Sequence, residues 1–324
     1  MENMEKRIRD ALRQTLEATD YQDLGAKETG KVRDSYRQPG RRILITTDRI
    51  SAFDCVLGTI PFKGQVLNQL AAFWFEQTRT IAPNHVLDVP DPNVMVVTEC
   101  EQLPIEVIVR AYITGVTKTS LWYNYEQGVR DYCGNRLPAG LRKDQKLSRP
   151  IITPTTKLEA HDRPISRREA IAEGLVDAAA FDAASDLCLR LFDFGTRHAR
   201  RQGLILVDTK YELGRRDGKL LVSDEIHTPD SSRYWFADNY EALFAAGRDQ
   251  RKIDKEYVRE WYAARGFRGE GVPPAMPDDV RLEAAQRYIQ AYELITGRPF
   301  VVSDEPVAGR IEKNLKAAGY LDGN

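Results

Sequence analysis

Hydrophobic and polar positions divide the chain into stretches of different character. Ile8, Leu12 and Leu16 recur at helical spacing and predict a short amphipathic helix over residues 4–19. Between 30 and 60 the pattern changes to β-type runs broken by turns: GKVRDSY, the Pro39-Gly40 turn, ILITTD and VLGTIPF. A helix over 65–79 follows, with Leu67, Leu70, Ala71 and Trp74 on its apolar side, and then strands over 94–98 and 105–113. Residues 135–165 lack periodicity and are rich in Pro, Lys and Thr, as functional loops tend to be. A helix is predicted over 166–203, where Ser166 and Glu169 have capping-box spacing. Next comes a hairpin, LILVDTKYELG to KLLVSDEI, with Asp217-Gly218 as its turn signal. The last third is helical, over 253–264, 278–296 and near Ile311, and its recurrent Tyr257, Trp261, Tyr262, Tyr288 and Tyr292 read as core. Strands that cluster rather than alternate with helices predict an α+β protein. The expected division is a β-rich lobe over 1–105, with an antiparallel sheet, and an α+β lobe over 106–324 holding the hairpin and the C-terminal helices.

Composition narrows the functional classes. Lys and Arg number 47 against 48 Asp and Glu, a net charge of −1 in 324 residues. A general nucleic-acid binder needs a basic surplus, so no nucleic-acid partner is expected, although a local cationic cluster around one phosphorylated metabolite is compatible. The four cysteines, Cys55, Cys100, Cys133 and Cys188, form no CxxC pair, which argues against a disulfide framework or a structural zinc site. The first residues are charged without an apolar signal core, and no stretch approaches the ~20 apolar residues of a membrane span. A cytoplasmic protein with no membrane partner is expected.

Five segments hold candidate chemistry. Gly30-Lys31-Val32-Arg33 sets two cations beside a glycine at a turn, where backbone N–H groups and positive charge can meet phosphate. TTDRISAFD, which ends at Asp54, packs polar residues between apolar ones, and Lys63-Gly64 precedes a helix. Arg110 interrupts an apolar strand, where an unpaired charge would be costly, so it faces solvent or reaches an anion. Asp208, Lys210 and Glu212 alternate on one hairpin strand and share a face, with Asp224 and Glu225 across the turn. Hard oxygen ligands of this kind suit Mg²⁺. A two-residue turn would pair Lys210 with Glu225 and send Asp224 to the other face. A three-residue loop would pair Lys210 with Asp224 and let Glu212 and Asp224 share a face, and the sequence accepts both. In HTPDSSRYW, Ser232 and Arg233 suit a phosphate cradle. His85, His161 and His198 show no metal-ligand spacing.

In their order, GKVRDSY, TTDRISAFD, IPFKGQVLNQL, LPIEVIVRAYITG, TPTTKLEAHD, LILVDTKYELG and SDEIHTPDSSRYW resemble the SAICAR synthetase family, from about Gly30 to Phe300. The resemblance implies an ATP-dependent amide ligase of purine biosynthesis. It would join the carboxylate of carboxyaminoimidazole ribonucleotide (CAIR) to the amino group of L-aspartate, releasing ADP and phosphate. By motif position, Gly30, Lys31, Val32 and Arg33 would hold the ATP phosphates. Glu212 and Asp224 would hold Mg²⁺, with Lys210 beside the nucleotide, and these three are the catalytic set. Arg110, Ser232 and Arg233 would grip the CAIR ribose phosphate. Lys157 is assigned to nucleotide, and Asp54 and Asp162 to substrate positioning. The family places Ser directly after Thr-Gly, whereas Val116 follows Gly115 here, which makes Ser120 the counterpart. A small-molecule kinase built from the same metal and phosphate parts is the alternative within enzymes. A nucleotide-binding protein without turnover is the alternative outside them.

Overall fold

The computed structural model describes residues 2–157, 162–253 and 255–322, so His161 and the rest of 158–161 lie outside the described residues. The described chain separates into two compact units. One comprises residues 1–76, 85–99 and 253–324, and the other 77–84 and 100–252. This differs from a division at 105/106, because the C-terminal helices pack with the first unit. Ile311 and Leu315 of helix Val307–Ala317 join Tyr36, Ile43, Ile45, Val94 and Val96 in one buried cluster. Roughly 1.5–3 kcal/mol accompanies full burial of each such side chain.

The first unit holds a five-stranded antiparallel sheet in the order Ala26–Thr29, Arg33–Gln38, Arg41–Thr46, Val94–Thr98, Val86–Asp91. The N-terminal helix runs only from Glu2 to Ala11. Beyond it the backbone turns to side-chain acceptors: Leu16 N donates to Asp48 Oδ2 at 2.8 Å, and Thr19 N to Asp34 Oδ2 at 2.7 Å. Leu16 is buried as its helical spacing predicts, but beyond the helix, in a segment without regular secondary structure. Strands Arg49–Ala52 and Cys55–Thr59, most of helix Lys63–Thr78, and helices Glu256–Ala263 and Asp278–Thr296 also belong to this unit.

The second unit is built on a seven-stranded antiparallel sheet. Strand Ile105–Ile113 lies between Gln145–Ile152 and the long strand Leu204–Arg216, which also pairs with Lys219–Ser223, Ser232–Phe236 and Glu101–Gln102. Gln145–Ile152 lies in the segment that the sequence pattern leaves irregular. Its strand arises from pairing with an already apolar neighbour, not from alternation of its own. The helix expected over 166–203 is two helices. Arg167–Ala172 starts at the Ser166–Glu169 capping box, and Ala178–Arg201 starts at Asp177, whose carboxylate caps Ala180 N. Left-handed Gly174, at φ +71°, turns the chain between them. The apolar side of Ala178–Arg201, including Phe181, Leu187 and Leu191, packs on strand Leu204–Arg216.

Candidate active site

Strand Ile105–Ile113 is buried along its whole length, Glu106 and Arg110 included. Four residues apart on a strand, these two charges project from the same face. Antiparallel pairing sets Asp208 against Arg110 and Lys210 against Ile108. Continuing that register brings Glu212 against Glu106. One face of the second sheet therefore carries five ionisable side chains in a low-dielectric setting, and each needs a partner.

At one end of this face Arg110 and Arg233 meet on Asp208. Arg110 Nη1 donates to Asp208 Oδ2 at 3.1 Å and Arg233 Nη1 to the same oxygen at 2.6 Å. Arg110 is further tied by Nε to Thr153 Oγ1 at 2.7 Å and by Nη2 to the carbonyl of Thr119 at 3.0 Å. Two guanidinium groups on one carboxylate leave a net positive site suited to a phosphate. The loop after the strand closes on them. Gly115 sits at φ +93°, and a Cβ there would lie 2.4 Å from Ser120 Oγ and 2.9 Å from Arg233 Nη2. Ser120 N donates to Thr117 O at 2.8 Å, so the residues that separate Ser120 from Thr114-Gly115 form a turn that returns its hydroxyl to the glycine. Ser120, Arg110 and Arg233 thus come together. Ser232 does not join them. Its hydroxyl donates to Thr209 Oγ1 at 2.7 Å, because Ser232 pairs with the residue after Asp208 and alternation turns it to the other face. Asp162 is solvent-exposed.

At the other end two carboxylates are held by two ammonium groups. Lys210 Nζ donates to Glu106 Oε1 at 2.9 Å and Glu212 Oε1 at 2.5 Å. Lys157 Nζ reaches Glu106 Oε1 at 3.4 Å and also contacts Glu212 Oε2. Like charges opposed across strands repel, so Glu106 and Glu212 share this face only with cations between them. Burial opposes the charge on Lys210, but Glu212, Glu106 and Asp224 outweigh it and hold the ammonium well above the usual lysine range. Burial likewise pushes Glu212 up, and Lys210 and Lys157 more than reverse this, leaving its carboxyl below the ordinary value.

The hairpin closes through a two-residue turn. Arg216 pairs with Lys219, and Asp217 and Gly218 are both left-handed, at φ 50° and 74°. In that register Asp224 would fall on the face away from Glu212. Strand Lys219–Ser223 ends one residue earlier, however, and Asp224 is left-handed at φ 61°, so alternation no longer sets its side. Its charge acts on the Lys210 ammonium. Among the described residues no group of three or more His, Cys, Asp or Glu side chains could hold a metal ion. A set of two carboxylates fits Mg²⁺ that takes its other ligands from phosphate and water, not a resident all-protein cation site.

In the first unit, residues 30–32 connect strands Ala26–Thr29 and Arg33–Gln38, with Gly30 N donating to Arg33 O at 2.8 Å. The carbonyls of this turn are held from behind. Arg49 donates through Nη2 to Gly30 O at 3.0 Å and through Nε to Lys31 O at 3.1 Å. Thr47 donates through N and Oγ1 to Val32 O at 3.0 and 2.8 Å. Lys31 Nζ meets Asp54 Oδ1 at 2.5 Å, both side chains being well exposed. Phe53 and Asp54 form the two-residue turn between strands Arg49–Ala52 and Cys55–Thr59, at φ 52° and 61°. Left-handed non-glycine residues of this kind are strained and concentrate at functional sites.

Sequence reasoning missed Glu106 and Thr153. Glu106 carried a signal, a second charge four residues before Arg110 in the same apolar run. Thr153 carried none, since its place follows from the pairing of Gln145–Ile152.

Guanidinium and ammonium groups set among carboxylates on one sheet face suit an enzyme class that handles phosphorylated, anionic small molecules. Comparison with known proteins narrows the class. The sequence profile of the SAICAR synthetase family matches residues 26–274. A phosphoribosylaminoimidazole-succinocarboxamide synthase of Legionella pneumophila is 50% identical over 297 residues, covering 90% of this chain and 95% of the relative. A chloroplastic synthase of the same name from Arabidopsis thaliana is 48% identical over 320 residues, covering 96% and 78%. Among solved structures, the SAICAR synthase of Saccharomyces cerevisiae, complexed with SAICAR, superposes with a TM-score of 0.76 at 30% identity, covering 89% of this chain and 100% of that one. The chain belongs to the SAICAR synthetase family. It is an ATP-dependent ligase that joins CAIR to L-aspartate in purine biosynthesis, not the kinase alternative. No helix of the described residues is long and apolar enough to cross a membrane.

Proposed function

We propose that the Arg110–Asp208–Arg233 group binds the ribose phosphate of CAIR, with Ser120 as a hydroxyl donor beside it. Two guanidinium groups sharing one carboxylate oxygen are the observation that carries this reading. A phosphate would meet both guanidinium groups together, because Asp208 fixes their planes relative to each other. Glu212 and Asp224 would hold Mg²⁺ on the nucleotide phosphates, which neutralises charge during transfer. Lys210 and Lys157 neutralise the carboxylates of that group and offer cations to phosphate oxygens. Lys31, Arg33 and the N–H groups around them act on the nucleotide phosphates, and Asp54 holds Lys31 before they bind. Ser232 has no part in this set, and for Asp162 only motif position supports substrate positioning. The cytoplasm is the proposed setting, in keeping with four cysteines that carry no disulfide.

A carboxylate is a poor electrophile, which explains the need for ATP. A CAIR carboxylate oxygen takes the γ-phosphoryl group and ADP leaves. The aspartate amine then attacks the acyl carbon and loses a proton, and the C–O bond breaks to release phosphate. The site's contribution is positioning and charge neutralisation. The assignment is tested by comparing CAIR with its dephosphorylated nucleoside in an ADP-release assay. Charge-assisted hydrogen bonds predict discrimination of roughly 100-fold in kcat/KM for the native enzyme, collapsing to a few-fold in Arg233→Ala. Equal discrimination in both proteins would remove the phosphate from this site.

A further inference from the structure

We infer that Arg49 is a positioning residue for nucleotide binding: its buried guanidinium sets the peptide planes of the 30–33 turn so that their N–H groups face a phosphate. The inference rests on the proposed reading of that turn as a phosphate site and adds a residue which that reading does not contain.

Each trans peptide is planar, so the N–H of one residue points opposite to the C=O of the residue before it. Arg49 Nη2 and Nε draw the carbonyls of Gly30 and Lys31 towards the interior, at 3.0 and 3.1 Å. The N–H groups of Lys31 and Val32 must therefore point away from the guanidinium, whose side chain is only 8% exposed. Thr47 draws in the next carbonyl, that of Val32, by two hydrogen bonds. Three consecutive carbonyls are thus turned inward. This removes the negative ends of the peptide dipoles from the outer side and presents their positive ends there, the arrangement an anion requires. Without such anchoring a short turn beginning with glycine has access to several conformations, and ordering it would be charged against nucleotide affinity.

The anchor is itself held. Arg49 Nη2 also donates to Asp34 Oδ1 at 2.9 Å, and Nη1 donates to the carbonyl of Glu17. Asp34 is fully buried, and Thr19 donates to its other oxygen through N at 2.7 Å and Oγ1 at 2.9 Å. Burial alone would push the Asp34 carboxyl up, but the hydrogen bonds from Thr19 and Arg49 hold it below its ordinary value. The arginine is therefore oriented and held in place. A lysine would keep one charge near Asp34 but cannot span two carbonyls with a rigid fork.

The test measures ADP and CAIR affinity by calorimetry, with melting temperature, for the native protein and for Lys31→Met, Arg49→Lys and Thr47→Val. Expected is a loss of ADP affinity of about tenfold or more in Arg49→Lys, with CAIR affinity within about twofold. Thr47→Val should weaken ADP by about threefold, since Val32 O keeps the backbone donor. If Lys31→Met leaves ADP affinity unchanged, the reading of the turn as a phosphate site fails, and this inference with it. If Lys31→Met weakens ADP while Arg49→Lys folds and binds it normally, the reading stands and the positioning role of Arg49 is overturned. Equal losses for ADP and CAIR in Arg49→Lys would also overturn it, marking a merely structural residue. Should Arg49→Lys not fold, Thr47→Val decides: a selective ADP loss supports the inference, and native ADP affinity refutes it.

Discussion

Glu106 and Glu212, carboxylates on neighbouring strands, share the ammonium group of Lys210, at 2.9 and 2.5 Å. Facing each other across the strands the two carboxylates repel, and the shared ammonium offsets that repulsion on this buried face. Replacing Lys210 by Met leaves both acids to Lys157. Breaking a buried pair by removing one partner costs about 3–5 kcal/mol, so a marked fall in melting temperature should accompany loss of turnover. Adding Glu106→Gln to that variant should restore much of the stability and none of the activity. Calorimetry and ADP release read the two effects separately, and parallel recovery of both would deny Lys210 its catalytic place.

Asp224→Asn should raise the Mg²⁺ concentration for half-maximal rate by about tenfold or more, because one of two proposed carboxylate ligands is lost. Asparagine keeps the side chain's size and suits the left-handed backbone at φ 61°, so the fold should persist, with a smaller fall in melting temperature than Lys210→Met produces. Titrating Mg²⁺ at saturating ATP checks this, and native Mg²⁺ dependence would discard the metal assignment.

Gly115→Ala tests the loop over the two arginines. The added Cβ would stand 2.4 Å from Ser120 Oγ and 2.9 Å from Arg233 Nη2, at a backbone φ of +93° that side chains disfavour. Ser120 and Arg233 must shift, so the KM for CAIR should rise at least about tenfold while that for ATP stays within about twofold. Initial-rate kinetics with each substrate varied in turn give the answer.

A pH dependence follows from His227. Burial, with a smaller contribution from His198, pushes its imidazole down from 6.5 to about 3, and its Nε2 lies 2.6 Å from Tyr211 Oη. Between those two values the unfolded chain binds a proton that the folded protein refuses. Stability contributed by the neutral ring is therefore fully present above pH 6.5 and is lost progressively as pH falls towards 3. His227→Gln should lower the melting temperature at pH 7.5, and the gap from the native protein should narrow at pH 5. Melts at both pH values decide, and a constant gap would contradict the assignment. Using the difference cancels other groups, among them Asp48, which burial raises to about 6.

Much of this was legible where the signal is local. The strands 94–98 and 105–113 and the helix 278–296 have the bounds that their apolar patterns predict. The Ser166–Glu169 box starts a helix as its spacing requires. The hairpin was legible except for its loop, because glycine suits both candidate turns; the structure resolves it through Asp217, which tolerates a left-handed backbone. What failed depended on distant partners. Gln145–Ile152 becomes a strand only against Ile105–Ile113, and the C-terminal helices joined the first unit through Ile311 and Leu315. In the site, Arg110, Arg233 and Ser120 came together as motif order implied, whereas the face of Ser232 was decided by strand pairing that its dipeptide could not reveal.

Residues 1–76, 85–99 and 253–324 build one core, and most of the second unit, residues 100–252, is inserted before its last piece. A ribosome therefore finishes residues 77–252 while Ile311 and Leu315 have yet to be translated, and Ile43, Ile45 and Val96 must wait for them. Maturation should run from the middle outward, so that chains released from the ribosome after truncation near residue 260 carry a protease-resistant interior fragment and an unprotected amino-terminal sheet.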